Sequence, residues 1–466
     1  MENSREQPEQ PQQPRTGGQR LILFPLPLQG HISPMLQLAN ILHSRGFSIT
    51  IIHARLNSPN PSNHPHFTFR SIHTGISEID NGYPKTDTLS LLEMLNVRCV
   101  EPFRLALTDL LTESWAEPVA CVVSDAILHF TSPVCASLKV PRFVLRTGGV
   151  CSFLAFAAFP SLLERGYLHV QEEKKLEDPV EELPPLRIKD LPVINTSHPE
   201  KLYELVQAMV EQTKASSGLI FNSFQELEDS AIEKLSGDFE IPIFPIGPFH
   251  KHLMTASSSS SLFEEDHSSI SWLDKQPRDS VIYVSFGSIA AIEEKDFVEV
   301  AWGLADSKHP FLWVVRPGLV KGSDWLEPLP KNYFEMVNGQ GYIVKWAPQM
   351  KVLSHPSVGA FWTHCGWNST LESVCEGVPM ICSPCFTDQL VNARYVGHVW
   401  QVGLCLEGGF RREEIEMAIE KIMGNGERGE FRGKALDLKV KSNHCVEPGG
   451  SSYRSLQSLV EYLSLL

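Results

Sequence analysis

Residues Trp346 to Gln389 read WAPQMKVLSHPSVGAFWTHCGWNSTLESVCEGVPMICSPCFTDQ. Within them an apolar run, Gly359-Ala-Phe-Trp362, breaks at Thr363-His-Cys-Gly366, and helical spacing begins near Asn368-Ser-Thr-Leu-Glu372. A strand that feeds a glycine turn and then a helix presents unpaired backbone N–H groups, and the positive end of a dipole, to any anion placed there. The stretch is therefore a candidate diphosphate site. His364 stands just before the helix, where it can donate to a phosphate oxygen, and Asn368 and Ser369 can add side-chain donors in the first turn. Glu372 lies four residues beyond Asn368 on the same face, where it can accept from vicinal ribose hydroxyls. Trp346 offers a flat face for a base. Taken singly, each has a plainer reading as helix cap, solvated charge or core aromatic; their conjunction carries the inference.

Outward from this stretch, two segments share one order of strand, loop and helix. Val281-Ile-Tyr-Val-Ser-Phe286 runs through Gly287–Ala291 into a helix-like Glu293–Leu304. Leu21-Ile-Leu-Phe24 runs through a loop, Pro25–Pro34, into Met35–His43, whose apolar residues recur at helical spacing. Each is the seed of a parallel α/β sheet. Further short apolar runs follow: Ser48–Ile52, Cys121–Ser124 and Arg142–Leu145 early, then Phe311–Val315, Tyr342–Lys345, Gly359–Trp362 and Pro379–Cys382 late. Buried parallel strands read this way. Between the halves lie the Pro-rich Ile241–Pro248 and a serine tract, Ala256–Ser261, with the composition of a linker. The expected organisation is a disordered tail over 1–18, an N-terminal domain over 19–248, a linker over 249–268 and a C-terminal domain over 269–448. A terminal helix over 449–466 is expected to pack back on the first domain. Two doubly wound, Rossmann-like α/β domains then face each other, with ligands outside the carboxyl ends of the strands and in the cleft.

The chain has 466 residues, with 40 Lys and Arg against 55 Asp and Glu, a net charge of −15. That excludes a peptide hormone and a basic nucleic-acid coat, and an acidic balance disfavours binding to phosphate backbones. Hydrophobic content of 42% with 20% charged residues is that of a globular protein. The first twenty residues lack the apolar core of a secretory signal, and no apolar run approaches membrane-spanning length. The ten cysteines include one C-x-x-C, Cys382-Ser-Pro-Cys385, with no second Cys or His pair to give it zinc-like spacing. A cytoplasmic chain with reduced thiols, working on small molecules as a monomer, is the expectation.

The stretch from Trp346 to Gln389 resembles, over its whole length, the signature box of plant family 1 uridine-diphosphate glycosyltransferases. That pattern is W-x-P-Q, then H-C-G-W-N-S, then E-x-x-x-x-G-V-P and a closing D-Q. Similarity runs on from Gly30-His-Ile-Ser-Pro34 to Gly449-Gly-Ser-Ser-Tyr453. The resemblance implies the two-domain GT-B architecture and a UDP-sugar as co-substrate, with no other cofactor. It implies that Trp346 stacks on uracil, that Gln349 touches the nucleoside and that Glu372 holds the ribose. His364, Asn368 and Ser369, with Ser288 in the turn after Val281–Phe286, would bind the diphosphate; Ala347, Gly366 and Trp367 complete the donor set. Asp388 and Gln389 would meet the transferred sugar, and a closing Gln accompanies glucose in this family.

Glycosyl transfer also needs an acceptor oxygen made nucleophilic. His31, in Gly30-His31-Ile32-Ser33-Pro34, follows the first strand at its carboxyl end, and an imidazole changes charge near about pH 6.5. Asp125 ends another apolar strand and can fix the tautomer of such a base, as in hydrolase triads. By the family's pattern His31 is the catalytic base and Asp125 its partner, in a single inverting displacement. No D-x-D triplet is present to hold a divalent ion, so metal independence is expected. By resemblance the acceptor lies near Leu28, Leu92, Leu128, Gly148, Ser152, Phe156 and Phe386. The apolar run Val150–Phe159 reads equally as a pocket wall or an ordinary buried helix; if Phe153 and Phe156 face the cleft, the acceptor is a hydrophobic terpenoid, flavonoid or other phenolic. Rival readings are another UDP-sugar, an already glycosylated acceptor, or a UDP-sugar-binding protein without catalysis. A nicotinamide oxidoreductase is disfavoured, because no G-x-G-x-x-G follows either first strand.

Overall fold

The first strand, β1 (Arg20–Phe24), is buried along its whole length. Its alternate side chains enter opposite layers: Leu21 and Leu23 join one apolar cluster, Ile22 and Phe24 another. A strand covered by helices on both faces is apolar along most of its length, which is why Leu21–Phe24 reads as a continuous run. The structure, a computed structural model, describes residues 18–76, 88–114, 116–169, 172–194, 196, 198–252, 261–424, 426 and 428–466. The expected tail, but for Gly18, and residues 253–260 of the expected linker lie outside the described residues.

β1 is joined by β2 (Ser48–Ala54), β3 (Thr68–Ile72), β4 (Val119–Asp125), β5 (Arg142–Arg146), β6 (Gly218–Phe221) and β7 (Ile243–Pro245). All pair in parallel, in the order β3-β2-β1-β4-β5-β6-β7. A second parallel sheet holds β8 (Val281–Ser285), β9 (Phe311–Val314), β10 (Gly341–Val344), β11 (Val358–Thr363), β12 (Met380–Cys382) and β13 (Gly403–Cys405), in the order β10-β9-β8-β11-β12-β13. In each sheet the order reverses beside the first strand, between β1 and β4 and between β8 and β11. Such switch points open a crevice at the carboxyl ends of the strands.

The doubly wound expectation holds, with differences that have physical causes. β3, β7 and β13 are edge strands, where one side needs no partner and polar or Pro-flanked residues are tolerated, so their sequences lack a strong apolar run. The Pro-rich passage thus contains β7. The loop expected over Pro25–Pro34 is mostly helix: α1 spans Gln29–Ser44 with Pro34 inside it. Pro34 has no N–H to give to the carbonyl of Gly30 four residues back, and that carbonyl instead accepts from Asn368 at 2.9 Å. Three further helices bear on the site: α2 (Val150–Ala157), α3 (Trp367–Glu376) and α4 (Ser451–Ser464). On α4, Leu456, Leu459, Val460 and Leu463 enter the same cluster as Leu21, Leu23, Phe143 and Ile220 of the first sheet. Phe249, at the start of the expected linker, is fully buried and donates its N–H to Asn222.

Candidate active site

Because β1 pairs with β4, with Phe24 opposite Ser124, the helix after β1 and the last residue of β4 share one crevice. His31, in the first turn of α1, places Nδ1 2.7 Å from Oδ2 of Asp125, although 94 positions separate them. The hydroxyl of Thr147 lies 2.9 Å from the same nitrogen. Asp125 is 1% exposed and also accepts from the N–H of Ile127 at 3.0 Å, whereas His31 is 22% exposed. A buried carboxylate at Nδ1 holds the proton there and leaves Nε2 as the basic nitrogen.

Thr363 of β11 lies opposite Ser285 of β8, so the turns after these strands also meet. Cys365 takes φ +63°, which an L residue seldom adopts; its carbonyl accepts from Asn392 at 2.9 Å and its N–H donates to Thr363. The chain then enters α3, whose first N–H groups lack intrahelical partners. The ring of His364 lies between Gly287 and Gly366. A side chain at Gly287, itself at φ +72°, would meet Nε2 at 2.4 Å, and one at Gly366 would meet it at 2.5 Å. Burial, reinforced by the positive charge of Arg316, lowers the His364 pKa to about 4, which keeps its ring neutral rather than cationic. Its Nδ1, and Oδ1 of Asn368, are buried with no hydrogen-bond partner among the described residues.

Arg316 was not anticipated. It lies beneath the turn carrying Ser288 and donates to the carbonyls of Gly287 at 2.9 Å, Pro317 at 3.2 Å and Ala290. Glu372 accepts from Gln349 at 2.7 Å, and the same amide reaches Ser369 at 3.0 Å. Burial raises the Glu372 pKa to about 7 against the opposing effect of Gln349. The ring of Trp346 packs 4.6 Å from that of Phe263. Asp388 accepts from Thr387 at 2.9 Å and Asn392 at 3.1 Å. Gln389 spends its carbonyl oxygen on the N–H groups of Cys385 and Phe386, at 2.8 and 3.2 Å.

One cleft of about 720 Å³ between the domains brings these groups together. It is lined by His31 and by every donor-site residue expected from sequence: Ser288, Trp346, Ala347, Gln349, His364, Gly366, Trp367, Asn368, Ser369, Glu372, Asp388 and Gln389. Trp367 has a second role, since its indole is buried and donates to the carbonyl of Asn222 in the first domain at 2.8 Å. Of the expected acceptor residues, Leu28, Leu92, Gly148, Phe156 and Phe386 line the cleft. Leu128 and Ser152 do not: Leu128 is sealed in the core, and the Ser152 hydroxyl turns back on the carbonyl of Gly149 at 2.9 Å. Phe153 is likewise core, so on α2 the helical period brings Phe156 alone of that pair to the cleft. Thr147, Ile127, Ile194 and Arg146 line it without having been singled out.

Two doubly wound domains, an imidazole–carboxylate pair on one and a nucleotide cradle on the other, define a GT-B sugar-nucleotide transferase. Residues 246–431 match the family described as UDP-glucoronosyl and UDP-glucosyl transferase. The chain is 49% identical to UDP-glycosyltransferase 76B1 of Arabidopsis thaliana, covering 95% of this chain and 97% of that one. It is 47% identical to UDP-glycosyltransferase 76G1 of Stevia rebaudiana, covering 96% and 97%. Among solved structures, an anthocyanidin 3-O-glucosyltransferase in complex with UDP is similar at a TM-score of 0.83 and 25% identity, covering 97% of this chain and all of that one. A UDP-glucosyltransferase of Polygonum tinctorium, capable of glucosylating indoxyl, is similar at 0.80 and 29%, covering 96% and 98%. The chain belongs to the plant UDP-glycosyltransferases, in the group numbered 76, and is an enzyme acting on small molecules. Among the described residues no helix is long and apolar enough to cross a membrane.

Proposed function

We propose that this enzyme moves glucose from UDP-glucose to a hydroxyl of a hydrophobic plant small molecule, a terpenoid, flavonoid or other phenolic, with inversion, without a metal ion, and in the cytoplasm. The observation that carries the reading is the 2.7 Å contact by which buried Asp125 holds His31, itself lining the cleft that Trp346, His364 and Glu372 also line. Nε2 of His31 takes the acceptor proton as the O–H bond breaks. The freed oxygen pair forms the new bond at the anomeric carbon, and the bond from that carbon to the diphosphate breaks with its electrons leaving on UDP. The first turn of α3 and the neutral N–H of His364 receive that charge, while Asp125 steadies the imidazolium. Glucose is favoured by Gln389, whose amide nitrogen is the end left for sugar hydroxyls. Apolar Leu28, Leu92, Phe156 and Phe386 favour a hydrophobic acceptor. No three His, Cys, Asp or Glu side chains among the described residues are grouped to hold a metal.

The test is incubation of the full chain with labelled UDP-glucose, UDP-xylose and UDP-galactose and a panel of phenolics and terpenoids, with and without a chelator. Stereochemistry is read at the new glycosidic bond. A β-glucoside formed equally well with the chelator is expected; a retained α-linkage or chelator-sensitive turnover would overturn the mechanism.

A further inference from the structure

Arg146 ends β5, and the next residue, Thr147, touches the catalytic imidazole. Arg146 is 5% exposed and still lines the cleft. What surrounds it is apolar. It lies over the rings of Phe156 and Phe153, at 5.1 and 5.8 Å, and its hydrogen bond to protein is to the thioether sulfur of Met209 at 3.4 Å, a weak acceptor. Nε is buried with no partner among the described residues. The carboxylates whose charge reaches it, Asp388 and Asp125, are already engaged with Thr387 and Asn392 and with His31 and Ile127. Beside it the chain has a glycine: a side chain at Gly148 would sit 3.7 Å from both Nε and Nη2 and 3.2 Å from the Ser152 hydroxyl. The absent side chain leaves a small hollow against the guanidinium edge.

A buried guanidinium without an anion is costly, and its planar fork matches a carboxylate. We infer that Arg146 is the recognition residue for an acceptor that bears a carboxylate and presents a separate hydroxyl to His31. The acceptor is compact, because Arg146 and the residue touching His31 are neighbours in sequence. Its body is apolar, because Phe156 lies against the guanidinium and Leu92 and Ile194 line the same cleft. The inference rests on the glucosyl-transfer reading and narrows its acceptor class.

The test uses the full chain with UDP-glucose and matched probes: the isomeric hydroxybenzoates and para-hydroxycinnamate, each beside its methyl ester. The native enzyme is expected to favour at least one acid over its ester by about tenfold or more in kcat/KM, giving a base-stable glucoside. Arg146→Met should remove that preference through KM while ester turnover persists, and Arg146→Lys should restore part of it. Equal use of acid and ester by the native enzyme would overturn the assignment without calling on any variant. So would an equal loss on both probes in the variants, which would make Arg146 a packing residue. A base-labile glucose ester as main product would put the carboxylate at His31 and overturn it too. Calorimetric titration of acid and ester onto the UDP-bound protein reads the same preference without turnover. A complete failure of transfer would therefore count against the chemistry assigned to His31, and binding would still decide the role of Arg146.

Discussion

Asn368 donates its side-chain N–H to the carbonyl of Gly30 across the cleft, at 2.9 Å. The bond ties the first turn of α3, just after the turn that carries His364, to the first turn of α1, one residue from His31. It exists because Pro34 leaves that carbonyl unclaimed. Asn368→Leu keeps much of the shape and removes the donor without adding a charge, leaving the Gly30 carbonyl unpaired. We expect kcat to fall roughly tenfold or more, with a smaller loss of UDP affinity, since the amide already serves the domain contact. Steady-state kinetics beside UDP titration checks the split; an intact kcat would refute it.

Removing the base should be more severe. His31→Ala is expected to lower kcat by about a thousandfold or more, and Asp125→Asn by about a hundredfold or more, as the tautomer is lost. Protection by UDP against thermal unfolding should persist in both. Turnover close to native in His31→Ala would rule the mechanism out.

Burial holds the Glu372 pKa at about 7, above its ordinary 4.5. The folded protein therefore keeps a proton that the unfolded chain releases, and this residue's contribution to stability is lost as pH rises from about 4.5 to 7. Glu372→Gln should thus raise the melting temperature of the ligand-free protein more at pH 8 than at pH 5. It should also weaken UDP binding, because an acceptor for ribose hydroxyls becomes half donor. Calorimetric melting at the two pH values reads the first effect; an equal shift at both would contradict it.

Glu228 anchors the helix that carries Phe156. It is 3% exposed and accepts from the N–H groups of Val150 and Cys151, at 3.0 and 2.8 Å, and from the Ser223 hydroxyl at 2.5 Å. Glu228→Ala should cost about 2 to 4 kcal/mol by leaving these donors without their charged acceptor at the start of α2. Denaturant unfolding measures it, and a loss under about 0.5 kcal/mol would show that the anchor is dispensable.

What could be read from residues alone follows a physical line. Strands buried on both faces announce themselves as apolar runs, so β1, β4, β8 and β11 were legible, and with them the strand ends where His31, Asp125 and His364 sit. The edge strands β3 and β13 carry no such signal, whereas edge strand β10 did and the short interior β6 went unread. The start of α1 was obscured because Pro34 punctuates like a loop, while its missing N–H is compensated by Asn368, 334 positions further on. Leu128 and Ser152 were misplaced because helical and turn phase, not proximity in sequence to Gly148 or Asp125, decides which side chain faces a cleft. Arg146 carried a usable sign: a cation closing a buried strand at the very end where this fold binds ligands.

The path of the backbone has a practical outcome for anyone recombining such enzymes. The chain builds one lobe, crosses to build the other, and then returns so that Leu456, Leu459 and Leu463 complete the floor of the first. A chimera joined at a single crossover would import a foreign closing helix onto a native floor. Exchange of donor halves between homologues therefore calls for two seams, one near Phe249 and one ahead of Ser451, so that each floor keeps the helix that evolved with it.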